Sequence, residues 1–182
     1  MQPMRTLINW LQKHSSPGHY LFSSQDLRAL CPDVSAAAFK TLLSRTVKLG
    51  YLERVCRGLY AHNISDNSNG MLLVHAAAYL RSNEFNYISL ETVLSDAGVI
   101  SQIPINSISI MSSGRSNKIA CGRFGAIEFI HTTQRPVEVM DQITYDENSR
   151  MWRASVRLAL KDMKRAHRNC DLIDWDIANE FV

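Results

Sequence analysis

The stretch that decides the fold of the first third of the chain is Ala38–Gly50, AFKTLLSRTVKLG, followed directly by Tyr51–Tyr60, YLERVCRGLY. The first part predicts a helix, because Phe39 and the apolar or small residues three, four, seven and eight positions later share one helical face. The second part predicts a β-hairpin, since Gly58 permits the chain to reverse. We therefore expect a helix followed at once by a two-stranded hairpin.

Two further helices are predicted upstream of this stretch. Residues 5–14 carry apolar side chains at helical spacing and are followed by the helix-stopping sequence Ser15–Gly18. A serine at position 23 or 24 caps a second helix that continues through Leu30, and Asp33 or Ser35 caps the third. Three helices and a terminal hairpin, preceded by the short β-like run 20–22, predict a winged helix-turn-helix domain over residues 1–61.

The charge of this segment favours nucleic acid as a partner. Residues 1–61 contain eight Lys or Arg and three Asp or Glu, whereas the rest of the chain contains twelve and fourteen. Phosphate backbones attract such a surface whatever their sequence. The side chains that we expect to contact double-stranded DNA lie on the polar face of the third helix and on the hairpin: Lys40, Thr41, Ser44, Arg45, Lys48, Arg54 and Arg57. The alternative is a winged helix that contacts only proteins.

A second domain is predicted over residues 71–182, after a turn-rich linker over residues 62–70. Its pattern predicts helices over 71–81 and 89–98, then strands over 105–111, 119–122 and 126–132, joined as an antiparallel meander. A last helix is predicted over 150–168. The expected fold class is therefore α+β, with a winged helix-turn-helix followed by a mixed α/β domain that contains an antiparallel sheet.

The last predicted helix carries a second basic surface, formed by Arg153, Arg157, Lys161, Lys164 and Arg168. Like charges four residues apart destabilise a helix, so such a stripe favours an anionic partner. This partner is a nucleic acid or an acidic protein. The alternatives are neutralisation by nearby acids of the same chain, or a merely solvated face. The acids considered are Asp171, Asp174, Asp176 and Glu180.

The sequence contains no convincing catalytic or metal-binding motif. Its four cysteines, Cys31, Cys56, Cys121 and Cys170, form no CxxC pair, and its histidines form no HExxH. The loop acids Asp141, Asp146 and Glu147 are expected to be solvated rather than metal ligands. We predict a non-enzymatic protein without metal or cofactor. No apolar run is long enough to span a membrane and no cleavage site follows the amphipathic start, so a cytoplasmic location without membrane contact is expected.

Several phrases resemble the AbiEi antitoxin family of bacterial abortive-infection systems. They are GYLERVCRGLY at 50–60, YISLETVLSDAGVISQ at 87–102, SISIMSSGRS at 107–116 and FGAIEFIH at 124–131. Residues 153–162 resemble the final helix of that family, although ASVR at 154–157 replaces its usual Pro-Glu-Lys character. The resemblance extends over nearly the whole chain.

This resemblance implies a type IV antitoxin that binds promoter DNA and represses its own operon through an N-terminal winged helix-turn-helix. It also implies a C-terminal domain that counteracts a nucleotidyltransferase-like toxin, without requiring a stable complex between the two proteins. The residues alone leave a second hypothesis open. That hypothesis is a winged-helix transcriptional regulator whose C-terminal domain senses a ligand or oligomerises.

Overall fold

The computed structural model describes residues 2–68, 70–101 and 106–182, and it confirms the α+β class. The chain divides into two compact units, Met1–Leu72 and Leu73–Val182. The segment 62–70, predicted as a linker, contains a short helix within its described part, and His62, Asn67 and Ser68 are buried there. Within the described ranges, the helices are too short or too polar to cross a bilayer.

The first unit contains three helices, a short strand between the first two, a hairpin and one more helical turn. These elements are α1 (Pro3–His14), β1 (Leu21–Ser23), α2 (Ser24–Ala29), α3 (Ala36–Lys48), β2 (Glu53–Cys56), β3 (Leu59–Ala61) and α4 (Ile64–Asn67). The strands form an antiparallel sheet in the order β1-β3-β2. The predicted helices and hairpin of residues 1–61 are therefore present.

Local signals explain where these helices begin and end. Ser23 and Asp26 form a capping box at the start of α2, and Ser35 accepts a hydrogen bond from the backbone N–H of Ala38 at the start of α3. Gly50 follows α3 with a φ of 78°, a conformation that costs glycine little. One core joins the helices to the sheet: Leu7, Leu11, Phe22, Leu27, Cys31, Phe39, Leu43 and Leu52.

The second unit contains a six-stranded sheet and five helices in the part of the chain that the structure describes. Its helices are α5 (Leu72–Leu80), which starts at the boundary, α6 (Leu90–Asp96), α7 (Pro136–Val139), α8 (Val156–Arg165) and α9 (Trp175–Ala178). Its strands are β4 (Asn86–Ile88), β5 (Ser107–Ser112), β6 (Asn117–Ala120), β7 (Ala126–His131), β8 (Ile143–Asp146) and β9 (Met151–Ala154). Residue 105, predicted to begin β5, lies outside the described residues.

The sheet of the second unit is mixed, so the prediction of an antiparallel meander is wrong. The strand order is β6-β7-β5-β4-β9-β8, in which β5 pairs with β7 and β4 pairs with β9 in parallel. The other pairs are antiparallel. Four consecutive residues of β5, from Ser109 to Ser112, are buried, as expected for a central strand covered on both faces. The alternation of apolar residues carries no information about strand direction.

The prediction of one helix over 150–168 is also wrong. Its first residues form β9, which pairs with β4 and β8, and α8 begins only after Ser155. The Ser155 hydroxyl accepts a hydrogen bond from the backbone N–H of Leu158, which fixes that start. The helix ends at Arg165, and His167 then adopts a φ of 51°. Arg153 and Arg168 consequently lie outside the helix.

Candidate nucleic-acid interface

The polar face of α3 and the β2–β3 hairpin form an exposed surface in the first unit, which we call the α3 surface. It consists of the seven residues predicted to contact DNA, Lys40, Thr41, Ser44, Arg45, Lys48, Arg54 and Arg57, and every one is exposed. The opposite face of α3 is packed into the core through Phe39 and Leu43, and Thr46 donates a hydrogen bond to the Leu42 carbonyl oxygen. Packing on one face therefore fixes which side chains α3 presents to solvent.

Four of the seven residues meet across a groove between α3 and the hairpin. Lys40, Ser44, Lys48 and Arg54 line this groove, whose volume is about 420 Å³, together with the apolar side chains Leu43, Val47 and Tyr60. The remaining three residues, Thr41, Arg45 and Arg57, do not line it. The α3 surface thus combines one groove with exposed side chains beside it and at the hairpin turn.

Among the described residues, the cations of the α3 surface have no carboxylate partner. None of Lys40, Arg45, Lys48, Arg54 and Arg57 lies within ion-pairing distance of a carboxylate among the described residues. The Arg54 Nε–H donates instead to the Cys56 carbonyl oxygen at 3.3 Å. The surface therefore carries five uncompensated positive charges.

The position of the hairpin turn is fixed by contacts with α2. The backbone N–H of Ser24 donates to the Gly58 carbonyl oxygen at 2.8 Å, and Gly58 has a φ of 79°. The register of β2 against β3 shifts between Arg54 and Cys56, which bends the strand at that point. The turn that carries Arg57 is consequently held against the start of α2.

The second basic surface does not form as predicted. Arg153 lies on β9, where its Nη2 is 2.7 Å from the Asp96 carboxylate. Arg168 lies beyond α8, where its guanidinium donates to Glu91 at 2.6 Å and to both carboxylate oxygens of Glu128. These hydrogen bonds raise the pKa of Arg168, above all the bond to Glu91. The prediction that these five residues form one helical face is therefore wrong. Arg153 and Arg168 are paired with Asp96, Glu91 and Glu128, which are not the acids near the end of the sequence considered for neutralising the stripe.

The three members of that stripe that lie on α8 are Arg157, Lys161 and Lys164. None of them pairs with a carboxylate among the described side chains. The Lys161 ammonium is 3.3 Å from the Gln142 side-chain oxygen, and the Lys164 ammonium lies 5.7 Å from the centroid of the Trp175 ring. Only these three cations of the predicted second surface remain available to an anionic partner.

A buried carboxylate in the second unit was missed as a site residue by the sequence analysis. Asp162 on α8 is fully buried and accepts hydrogen bonds from the Ser89 hydroxyl at 2.7 Å and from the Gln134 amide at 3.0 Å. Burial raises the pKa of Asp162, and these hydrogen bonds lower it in part. Burial, followed by the nearby Asp162 carboxylate, raises the pKa of the Tyr87 phenol.

An open polar cleft of about 460 Å³ lies next to this carboxylate. Among its lining residues are His131, Thr132, Gln134, Glu138 and Arg165. The Arg165 guanidinium donates to the Gln134 side-chain oxygen and lies 3.9 Å from Asp162. The sequence signal for Asp162 was its place on the apolar face of the helix, four residues after the buried Leu158. Gln134 and Tyr87 carry no comparable local signal.

Asp141 precedes β8, Asp146 ends it and Glu147 follows it, and none of the three belongs to a group of metal ligands among the described residues. A hydrogen bond from the Ser149 side chain, followed by one from the backbone N–H of Asn148 at 3.0 Å, lowers the pKa of Asp146. Asp141 and Glu147 are exposed. Across residues 2–68, 70–101 and 106–182, no three His, Cys, Asp or Glu side chains are grouped as metal ligands.

Comparisons with known proteins show no family for this chain. No protein-family model matches it, and no curated protein matches it. A solved structure similar to it is that of the RV2827C protein from Mycobacterium tuberculosis, with a TM-score of 0.49 and 10% sequence identity. The alignment covers 93% of this chain and 53% of that chain, so this chain spans about half the length of the mycobacterial protein.

Proposed function

We propose that the first unit is a winged helix-turn-helix that binds double-stranded DNA. The observation that carries this proposal is the set of five exposed cations on α3 and the hairpin, none of them paired with a carboxylate among the described residues. Phosphate groups provide the charge that these side chains lack, and releasing the counterions condensed on DNA favours binding.

Within the α3 surface, we expect the helix to contact bases and the hairpin turn to contact phosphates. The 13 residues of α3 extend for about 20 Å, and a major groove accepts a helix of this kind. In this pose Ser44 and Arg45 contact base edges from the C-terminal half of α3, where both are exposed. Arg57 at the hairpin turn contacts the phosphates beside the groove.

We further propose that the protein is a cytoplasmic antitoxin that represses its own operon, whose second unit counteracts a nucleotidyltransferase-like toxin. This part rests on the resemblance to the AbiEi family in residues 50–60, 87–102, 107–116 and 124–131. A DNA-binding unit joined to a second compact unit is compatible with that role. The toxin is a functional partner, and direct contact with it is not required.

The runner-up function is a transcriptional regulator that senses a small ligand. The polar cleft beside Asp162 favours this function, because its volume of about 460 Å³ is in the range of small-molecule sites and several polar side chains converge there. In this case the second unit binds a ligand instead of opposing a toxin. Both functions use the same DNA-binding unit.

Footprinting of the upstream region of the gene tests the DNA-binding proposal. We expect protection by the unmodified chain and loss of protection by Arg45→Ala and Arg57→Ala. Each substitution should weaken the operator complex by about 1–3 kcal/mol if it removes a base contact, and by less if it removes only a phosphate contact. Lys118→Ala, at an exposed position on β6, is the matched control. Equal protection by all variants would show that the α3 surface does not bind the operator.

Co-expression separates the two functions. When the adjacent gene is induced in cells, an antitoxin restores growth, whereas a ligand-sensing regulator does not. Thermal shift with a library of small molecules gives the opposite result, because only a ligand that binds the folded chain raises its melting temperature. If the chain fails to restore growth and a small molecule raises its melting temperature, the antitoxin proposal is rejected.

A further inference from the structure

A groove on the second unit runs between α8 and the segment that contains α9, and we call it the α8 groove. It has a volume of about 530 Å³ and is lined by Arg157, Leu160, Lys161, Lys164, Trp175, Asn179 and Val182. Leu160 is buried at its floor, and Trp175 keeps 45% of its surface exposed. The groove therefore combines an apolar floor, an accessible indole and three basic side chains.

The cations of the α8 groove form no ion pair with a described carboxylate, unlike three arginines elsewhere in the second unit. Arg153, Arg165 and Arg168 each lie within 4 Å of a carboxylate. The three cations of the groove have no such partner among the described residues, and no acidic side chain is among its lining residues. Two acids flank Trp175 in the sequence, Asp174 and Asp176, and the Asp174 carboxylate accepts hydrogen bonds from the backbone N–H groups of Asp176 and Ile177.

The spacing of the cations indicates an extended anion rather than a single ion. Arg157, Lys161 and Lys164 lie at intervals of four and three residues on α8, so the row is about 10 Å long. A nucleic-acid strand carries one phosphate per nucleotide, so the three cations of this row face successive phosphates of the same strand. The half-exposed Trp175 beside the row offers a surface on which a base stacks.

We propose that the α8 groove binds single-stranded nucleic acid, with the three cations on the phosphates and Trp175 stacked on a base. This site is separate from the α3 surface, and the proposal does not depend on the function assigned to that surface. Single strands expose the faces of their bases, whereas a duplex stacks them internally and presents phosphates outward. A groove with the buried Leu160 at its floor and an indole in its wall therefore suits a single strand better than a duplex.

Fluorescence anisotropy with the full chain tests this site. The probes are labelled oligothymidylate and oligouridylate of about 12 nucleotides, within the range bound by one single-strand-binding fold, and a mixed-sequence duplex of equal length. We expect single strands to bind with a slope of log affinity against log salt near −2, because each of three neutralised phosphates contributes about −0.7. A difference between the two oligonucleotides identifies RNA or DNA as the preferred strand.

Substitutions in the groove distinguish stacking from charge. Trp175→Ala should raise the Kd about fivefold or more, which corresponds to loss of one stacked base, and Trp175→Phe should restore most of the affinity. Replacing Lys161 and Lys164 by Gln together should reduce the salt slope by about 1.4. Lys118→Gln, at an exposed position on β6 outside both surfaces, is the control and should leave single-strand binding unchanged. Circular dichroism confirms that each variant is folded.

Three outcomes would overturn the proposal. The first is unchanged single-strand affinity in folded Trp175→Ala. The second is equally tight duplex binding that responds to the same groove substitutions, which would assign the groove to double-stranded DNA. The third is displacement of the oligonucleotide by polyglutamate at equal charge concentration, which would assign the groove to acidic proteins.

Discussion

The salt dependence of duplex binding follows from the number of cations on the α3 surface. The structure exposes five of them, Lys40, Arg45, Lys48, Arg54 and Arg57. If each neutralises one phosphate, log affinity falls against log salt with a slope of about −4.5, at about 0.9 per phosphate. Doubling the KCl concentration from about 0.1 to about 0.2 M should then raise the Kd about 20-fold. Lys48→Gln should reduce the slope to about −3.6, so that the same doubling of KCl raises the Kd about 12-fold.

Anisotropy of a labelled mixed-sequence duplex measures this slope directly, because phosphate contacts do not depend on the base sequence. The full chain, Lys48→Gln and Arg57→Gln are titrated at several KCl concentrations. Lys118→Gln supplies the matched control, since it removes an exposed lysine charge from β6 in the second unit. We expect the two α3-surface variants to lose nearly one unit of slope each and the control to keep the full slope.

Two results would refute this reasoning. A slope close to zero for the full chain would mean that few phosphates are neutralised, whatever the affinity. A full slope in both α3-surface variants, together with a reduced slope in Lys118→Gln, would place the phosphate contacts on the second unit. In either case the uncompensated charge of the α3 surface would need a different explanation.

Three other predictions concern the second unit. Asp162→Ala leaves the Ser89 and Gln134 donors without their acceptor, so urea denaturation should show a loss of about 2–3 kcal/mol in the free energy of unfolding. Burial lowers the pKa of His75, so the unfolded chain binds a proton more readily below about pH 6.5. Stability should therefore fall from pH 7 to pH 5, and His75→Gln should reduce that fall in thermal melts. Residues 71–182 expressed alone should unfold cooperatively, and in cells they should restore growth against the toxin without protecting the operator in footprinting. An unfolded fragment would contradict an independent core.

The helices and hairpin of the first unit could be predicted because their signals are local. Ser35 caps α3, the apolar residues of α3 repeat at helical spacing, and Gly58 allows the hairpin to turn. The exposure of the five α3-surface residues on the helix follows from the same spacing, whereas Arg54 and Arg57 lie on the hairpin. Charge counted over residues 1–61 added the prediction of a nucleic-acid partner, which remains a prediction.

The second unit was less predictable because its arrangement depends on contacts between distant residues. Ser89 and Tyr87 meet Asp162 across more than 70 positions of the chain, and the partner of Arg168 on β7 is 40 positions away. The start of α8 did have a local signal in Ser155. The continuous apolar spacing from Trp152 to Met163 concealed that signal, because the last residues of β9 happen to extend the helical pattern.

The place of β4 in the sheet affects how the second unit folds during translation. β4 is the first strand of the second unit to leave the ribosome, yet β9, which pairs with one of its edges, is complete only at Ala154. The three strands of the first unit lie within residues 21–61, so that unit can finish folding early in translation. A nascent chain that stalls after β4 and before β9 carries a folded N-terminal unit and an unpaired edge of β4. Such edges invite pairing with other chains, which makes translation pauses between β4 and β9 a source of aggregation.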